Sequence, residues 1–184
     1  MSANKPDRLI FPAIFMIGFM LLYLSGLIGS VYRQTETGYV NPSTQKSHKL
    51  SEKFPEDIQR WKTVIEDCSE RYEMDPDLIA AVMLQESGGS PQVISISGAV
   101  GLMQVMPRDG AAAAFMCGEQ ACFSNRPTIS ELYDPEFNID YGTRMLAGLV
   151  KKEGSIRQAL YRYGPMDVGY SYAEIILSIY ESHQ

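Results

Sequence analysis

One glutamate in this chain stands where a carboxyl group could donate a proton near neutral pH. Glu86 lies near the end of the run Asp75-Pro76-Asp77-Leu78-Ile79-Ala80-Ala81-Val82-Met83-Leu84-Gln85-Glu86-Ser87. Ile79, Val82 and Met83 recur there at helical steps, and the next position on their stripe is Glu86 rather than another apolar residue. A carboxylate on an apolar face loses hydration, so its charged form is disfavoured and its pKa rises, as a general acid at neutral pH requires. Periodicity alone also allows a surface glutamate on a solvated last turn.

The element that must position Glu86 carries its own start and stop signals. Asp75 can cap a helix, Pro76 suits the first turn, and Gly88-Gly89 can end it. Upstream, Ile58, Trp61, Val64, Ile65, Cys68 and Tyr72 fall on one face and predict a helix with a core stripe, which makes Trp61 a packing residue rather than a sugar-stacking platform. From Gly89 to Gly101 the residues are small and polar without a period, so a loop is expected that returns Gly101 to Gln104 towards Glu86. Phe137, Tyr141, Met145, Gly148 and Leu149 define a further helix ending near Gly154, and Ser155 can cap the next, with Ile156, Ala159 and Leu160. No alternating run of strand length with hairpin turns appears, so the fold class is mainly α with room for a minor β-hairpin.

The residues around Glu86 resemble the motifs of the soluble lytic transglycosylase (SLT) family, whose domain is similar to goose-type lysozyme. Glu86-Ser87 closing a helix, then Gly101-Leu102-Met103-Gln104 with Met106-Pro107, resemble its first two motifs. Leu132-Tyr133-Asp134-Pro135 with Asn138-Ile139 and Gly142 resemble the third, and the likeness runs from about Ile58 to Tyr180. It implies a lysozyme-like α-helical domain in which Glu86 is the catalytic acid and base and Ser87, Met103 and Gln104 contact glycan. A thioether can pack on a sugar face and an amide can bond to hydroxyls. The fourth motif, Ala-Leu-x-x-Tyr-Asn-Ala-Gly-Pro, is shortened here to Ala159-Leu160-Tyr161-Arg162-Tyr163-Gly164-Pro165. Aligning Ala-Leu makes Tyr163 the motif tyrosine, and aligning Gly-Pro makes it Tyr161. Tyr163 is preferred; the family then places its hydroxyl near the catalytic carboxyl, against the plainer reading of a core tyrosine. Tyr172-Ala173 with Ile176-Leu177 and Tyr180 resembles the family's closing helix.

The partner so implied is the peptidoglycan glycan strand. In the family one Glu protonates the oxygen between N-acetylmuramic acid and N-acetylglucosamine, the substrate's acetamido oxygen stabilises the cationic centre, and the 6-hydroxyl closes to a 1,6-anhydro product. Two other functions fit the same residues. One is a lysozyme-like hydrolase with Asp109 or Asp140 positioning water. The other is a non-catalytic cell-wall binding module or structural part of an envelope-spanning machine.

Composition narrows the field. A chain of 184 residues holds one modest domain plus appendages. A formal charge of -6 argues against a nucleic-acid binder, which would carry a basic stripe. His48 and His183 lie outside the motifs and the cysteines have no zinc spacing, so neither metal nor cofactor is expected. Cys117 and Cys122 are close enough for a local disulfide in an exterior location, with Cys68 left as a buried thiol; spacing alone leaves Cys68 free to pair with either.

Leu9 to Tyr32 carries no charge, and as a helix its 24 residues reach about 36 Å, enough to cross a hydrocarbon core of roughly 30 Å. The rival is a cleaved signal peptide, whose apolar core is shorter and ends in an Ala-x-Ala-like site that Ser25 to Ser30 does not supply cleanly. Lys5, Arg8 and the terminal amine before the span put the N-terminus in the cytoplasm and the domain outside, periplasmic or extracellular. Residues 1–8 are thus a cytoplasmic tip, 9–32 an anchor, 33–50 a polar stalk and 51–184 the catalytic-type domain. The anchor should remain in the mature protein. N-terminal sequencing checks this: a mature terminus near Val31 in the membrane-free fraction contradicts it.

Overall fold

The computed structural model describes residues 49–184. The expected anchor, and the stalk up to residue 48, lie outside them. Among the described residues no helix is long and apolar enough to cross a membrane. They are mainly helical: α1 Glu56–Gln59, α2 Lys62–Tyr72, α3 Pro76–Ser87, α4 Ile129–Leu132, α5 Pro135–Glu153, α6 Ile156–Tyr163 and α7 Ser171–His183. A two-stranded antiparallel hairpin, β1 Met116–Cys117 and β2 Gln120–Ala121, pairs Met116 with Ala121 and Cys117 with Gln120. This is the minor hairpin the composition left room for. Leu50 is packed into the core and its N–H bonds to Glu66 Oε1 at 3.0 Å, so the folded part includes the residue expected to end the stalk.

α3 is the central element. Asp75 caps it through a 2.9 Å bond from the Asp77 N–H, Pro76 occupies the first turn, and Gly88 ends it in the left-handed conformation. Asp75 also accepts from the Tyr180 hydroxyl at 2.8 Å, tying the start of α3 to the end of α7. Pro76 to Met83 are all buried, not only the expected stripe of Ile79, Val82 and Met83. A helix apolar on every side belongs inside, and α2 and α7 pack against it.

The helix expected through Ile58 to Tyr72 is broken at Arg60 and Trp61. Ile58, Ile65 and Cys68 are buried as the stripe requires, and Trp61, Val64 and Tyr72 pack on the core. Trp61 also occupies the N-cap position of α2 without a side-chain capping bond, and its Nε1–H donates to the Gly89 carbonyl at 3.0 Å. The indole satisfies a carbonyl just beyond α3, and α1 meets α3 at that corner.

The segment after α3 is a loop with short bridges, Ile94 to Val100 and Val100 to Val105, so residues 101–104 form the tip of a tight turn. Its partner is Asn138 on α5. The fully buried Asn138 amide accepts from Met103 N–H at 2.8 Å and donates to the Val100 and Leu132 carbonyls at 2.9 Å each. Gly101 makes this approach possible: its φ is +76°, and a Cβ there would lie 2.4 Å from Asn138 Nδ2. Asp134 and Pro135 start α5 with a cap and a first-turn proline, which sets Asn138 one turn into the helix.

The Cys117–Cys122 disulfide is formed and Cys68 is a buried free thiol, resolving the pairing that spacing left open. Among the described residues no group of three or more His, Cys, Asp or Glu side chains could hold a metal ion.

Asn138→Leu keeps the volume but strands the Met103 N–H and the Leu132 carbonyl in the core, while the Val100 carbonyl keeps its 3.1 Å bond from the Val105 N–H. Buried unpaired groups cost about 1–3 kcal/mol each, so the variant should lose at least about 2 kcal/mol of stability. Urea unfolding checks this, and a wild-type midpoint contradicts it.

Candidate active site

Glu86 emerges from the last turn of α3, half-buried, where the apolar interior meets the surface. The Tyr172 hydroxyl donates to its Oε1. Burial raises the carboxyl pKa from 4.5 to about 7, and the Tyr172 hydrogen bond acts in the opposite direction by favouring the charged form. Burial is the larger effect. A second phenol, Tyr163, completes the cluster. Its own burial, followed by the Glu86 charge, pushes its pKa far above the tyrosine range, and Tyr172 is raised in the same way. Both phenols are therefore neutral hydrogen-bond donors while the carboxyl between its two states titrates near neutrality.

Tyr163 does not hold Glu86 directly. Its hydroxyl donates to the Met103 carbonyl at 2.9 Å, and the hydroxyl that reaches Glu86 belongs to Tyr172 on α7. The reach depends on Gly164: a Cβ there would lie 2.3 Å from Tyr172 Cδ1, so the glycine lets the ring lie flat against the backbone at the end of α6. Tyr161, the other candidate for the motif tyrosine, stacks on Tyr170 with centroids 4.7 Å apart, while Arg157 covers Tyr170 at 3.9 Å. That stack ties the shortened fourth motif to the start of α7, whose N-cap is Tyr170. Sequence reasoning placed Tyr172 on the closing helix but missed its bond to Glu86, because the contact spans 86 residues of chain.

The side chains expected along the groove are placed differently. Met103 is fully buried and belongs to the core, so its thioether does not face open space; its backbone N–H and carbonyl are taken by Asn138 and Tyr163. An apolar side chain on a turn clamped by α5 gains more from packing than from exposure. Ser87 Oγ donates to the Leu102 carbonyl at 2.8 Å and accepts from the Gly89 N–H at 3.2 Å, stitching the end of α3 to the turn. Gln104 is half-buried with φ +44°, and its Nε2 bonds to the carbonyls of Gly101 at 2.9 Å and Val93 at 3.1 Å. Its amide nitrogen is thus spent on shaping the loop. Asp109 accepts from the Ile129 N–H at 2.8 Å, and Asp140 is held by Arg71 and by the Tyr72 hydroxyl at 2.9 Å.

These motifs match a known family. The transglycosylase SLT domain pattern fits residues 63–169. The chain belongs to the transglycosylase SLT family. Membrane-bound lytic murein transglycosylase E of Buchnera aphidicola subsp. Acyrthosiphon pisum is 35% identical over 117 residues, covering 63% of this chain and 52% of that protein. Endo-type membrane-bound lytic murein transglycosylase A of Klebsiella pneumoniae is 38% identical over 88 residues, covering 48% of this chain and 42% of that protein. The chain thus spans about half the length of these relatives. Among solved structures, the 70 kDa soluble lytic transglycosylase of Escherichia coli is similar at 25% identity with a TM-score of 0.40, over 68% of this chain and 21% of that one.

The raised pKa of Glu86 has a consequence for stability. Between pH 4.5 and about 7 the folded chain keeps a proton that the unfolded chain has released, so stability falls as pH rises through that window and stays lower above it. Glu86→Gln removes this dependence. The variant should outlast wild type in urea at pH 8 and lose that advantage towards pH 4; equal midpoints at both pH values contradict the shift.

Proposed function

We propose that this protein is a membrane-anchored lytic transglycosylase that cleaves the β-1,4 bond between N-acetylmuramic acid and N-acetylglucosamine in peptidoglycan, leaving a 1,6-anhydro-muramoyl end. The observation that carries this reading is Glu86: half-buried, touched by a phenol and protonated near neutrality, in a chain of the SLT family. The names of its relatives support the activity, and their description as membrane-bound supports an anchor at 9–32. The charges before that run favour a cytoplasmic N-terminus with the lysozyme-like domain outside the membrane.

In this mechanism the protonated Glu86 gives its proton to the bridging oxygen as the muramoyl C1–O bond breaks. The substrate's acetamido oxygen stabilises the cationic C1. Glu86, now a carboxylate, accepts the proton of the muramoyl 6-hydroxyl, whose oxygen bonds to C1 without water. One group serves both steps because its pKa lies near the working pH, where neither form is scarce. Tyr172 orients the carboxyl and stabilises its ionised form between the two transfers. Ser87, Met103, Gln104 and Tyr163 serve by shaping the wall of the groove through the Gly101–Gln104 turn, and glycan contacts fall to the surface that turn presents. The engagement of Asp109 and Asp140 by other residues favours a single-carboxylate route over hydrolysis with a second carboxylate.

Glu86→Gln should abolish turnover while leaving glycan binding nearly intact. General acid and base catalysis is worth about 10² to 10⁴-fold, so a residual rate above about a tenth of wild type contradicts the assignment. Mass spectrometry of the wild-type products should find anhydro ends; reducing ends identify a hydrolase, and an empty zymogram identifies a binding module.

A further inference from the structure

The arginines of this acidic protein are not treated alike. Among the described residues Arg60, Arg71, Arg108, Arg157 and Arg162 each lie within 4.0 Å of a carboxylate oxygen. Arg126 and Arg144 have no such ion pair, although acidic side chains outnumber basic ones in the chain, 22 to 16. Both converge instead on one ring. The Arg126 guanidinium carbon lies 6.0 Å from the Tyr141 centroid and 6.0 Å from that of Phe123, and Arg144 covers Tyr141 at 4.8 Å. Arg126 Nη1 also rests against Met145 Sδ. Half-buried among two aromatic rings and a thioether, this guanidinium is partly shielded from water, which strengthens its attraction for an anion.

The patch adjoins the Glu86 cluster through α5. Gly142, next to Tyr141, is where a Cβ would lie 3.1 Å from the Tyr163 hydroxyl, and Met145 is one turn further along the same helix. The Arg126 charge is felt at the Tyr163 phenol, where it opposes the effect of burial. Two guanidinium groups around one ring repel each other, and an anion between them relieves that repulsion. A guanidinium pairs most specifically with the two oxygens of a carboxylate.

We propose that Arg126, assisted by Arg144, is a specificity residue that receives a carboxylate of the muramoyl 3-O substituent when a glycan strand lies across the Tyr163 side of Glu86. This rests on the peptidoglycan reading above. The carboxylate comes either from the lactyl group itself, when no peptide is attached, or from the peptide stem. Unsubstituted N-acetylglucosamine offers neither, so the patch distinguishes muramoyl from plain glucosaminyl residues.

The test is a binding measurement on the full-length Glu86→Gln protein, which does not consume its ligand, with and without Arg126→Gln. Three glycans are compared: soluble strands with intact stems, strands stripped by an amidase so that lactyl carboxylates are exposed, and a neutral chitooligosaccharide. Removing one charge-assisted pair should weaken binding of a carboxylate-bearing strand about tenfold and flatten its salt dependence, with the chitooligosaccharide unaffected. Loss confined to stem-bearing strands identifies a stem carboxylate, and loss on stripped strands identifies the lactyl group. Arg126→Lys should retain part of the affinity and its salt dependence, since it keeps the charge but not the fork. Binding indifferent to Arg126, or weakened equally for the neutral oligosaccharide, overturns this assignment alone. Failure of Glu86→Gln to bind any of the three overturns it together with the function on which it rests.

Discussion

The architecture of the site depends on one buried side-chain amide. Between the end of α3 and the start of α4 the chain has little regular structure, and such a segment cannot satisfy its own backbone polar groups when it enters a core. Asn138 supplies what is missing, accepting from one backbone N–H and donating to two carbonyls from full burial. An apolar residue of equal size could fill the space without meeting those needs, so hydrophobic packing alone does not set this turn. Because the clamp fixes Met103, and Met103 in turn receives Tyr163, the wall beside Glu86 inherits its position from α5 rather than from the loop itself.

The electrostatics of Glu86 follow from where its helix ends. α3 runs through the core with apolar side chains all round, so its last turn is the first place where a polar group can meet solvent. A carboxylate there is disfavoured twice, by partial burial and by the negative end of the helix dipole. Tyr172 partly compensates with a neutral hydroxyl, which stabilises the ionised form without forcing it as a cation would. A lysine or arginine in that place would hold the group ionised at neutral pH and remove its proton from use. The choice of phenols, rather than cations, thus matches the role proposed for Glu86, in which one group both releases and regains a proton.

The shortened fourth motif shows how a deletion can be absorbed. With two fewer residues than the family pattern, the junction between α6 and α7 is held by aromatic stacking of Tyr161 on Tyr170 and by Arg157 over Tyr170. These contacts bring Gly164 against the ring of Tyr172, so the hydroxyl still reaches the carboxyl. The disulfide-closed hairpin supports the Arg126 patch: its Cys122 N–H bonds to the Phe115 carbonyl at 2.8 Å, and the rings of Phe115 and Phe123 meet edge to face, with Arg126 against Phe123.

The sequence by itself determined the ends of the central helices and the identity of the candidate acid. Caps at Asp75 and Ser155 and stops at Gly88 and Gly154 are local chemistry, written in residues that are neighbours in the chain, and each is found where it was expected. Motif spacing likewise singled out Glu86, and the short separation of Cys117 and Cys122 allowed the bond they form without excluding Cys68 as a partner. What only the tertiary structure decided is which groups face one another. The stripe on α3 read as one face although the whole helix is buried, since a sequence cannot reveal how many neighbours surround it. Met103 read as a groove residue and is core, Gln104 spends its amide nitrogen on its own loop, and Tyr172 rather than Tyr163 meets Glu86. Each of these outcomes depends on a contact between segments tens of residues apart or on a backbone turn held from outside, and such contacts leave no periodicity in the chain.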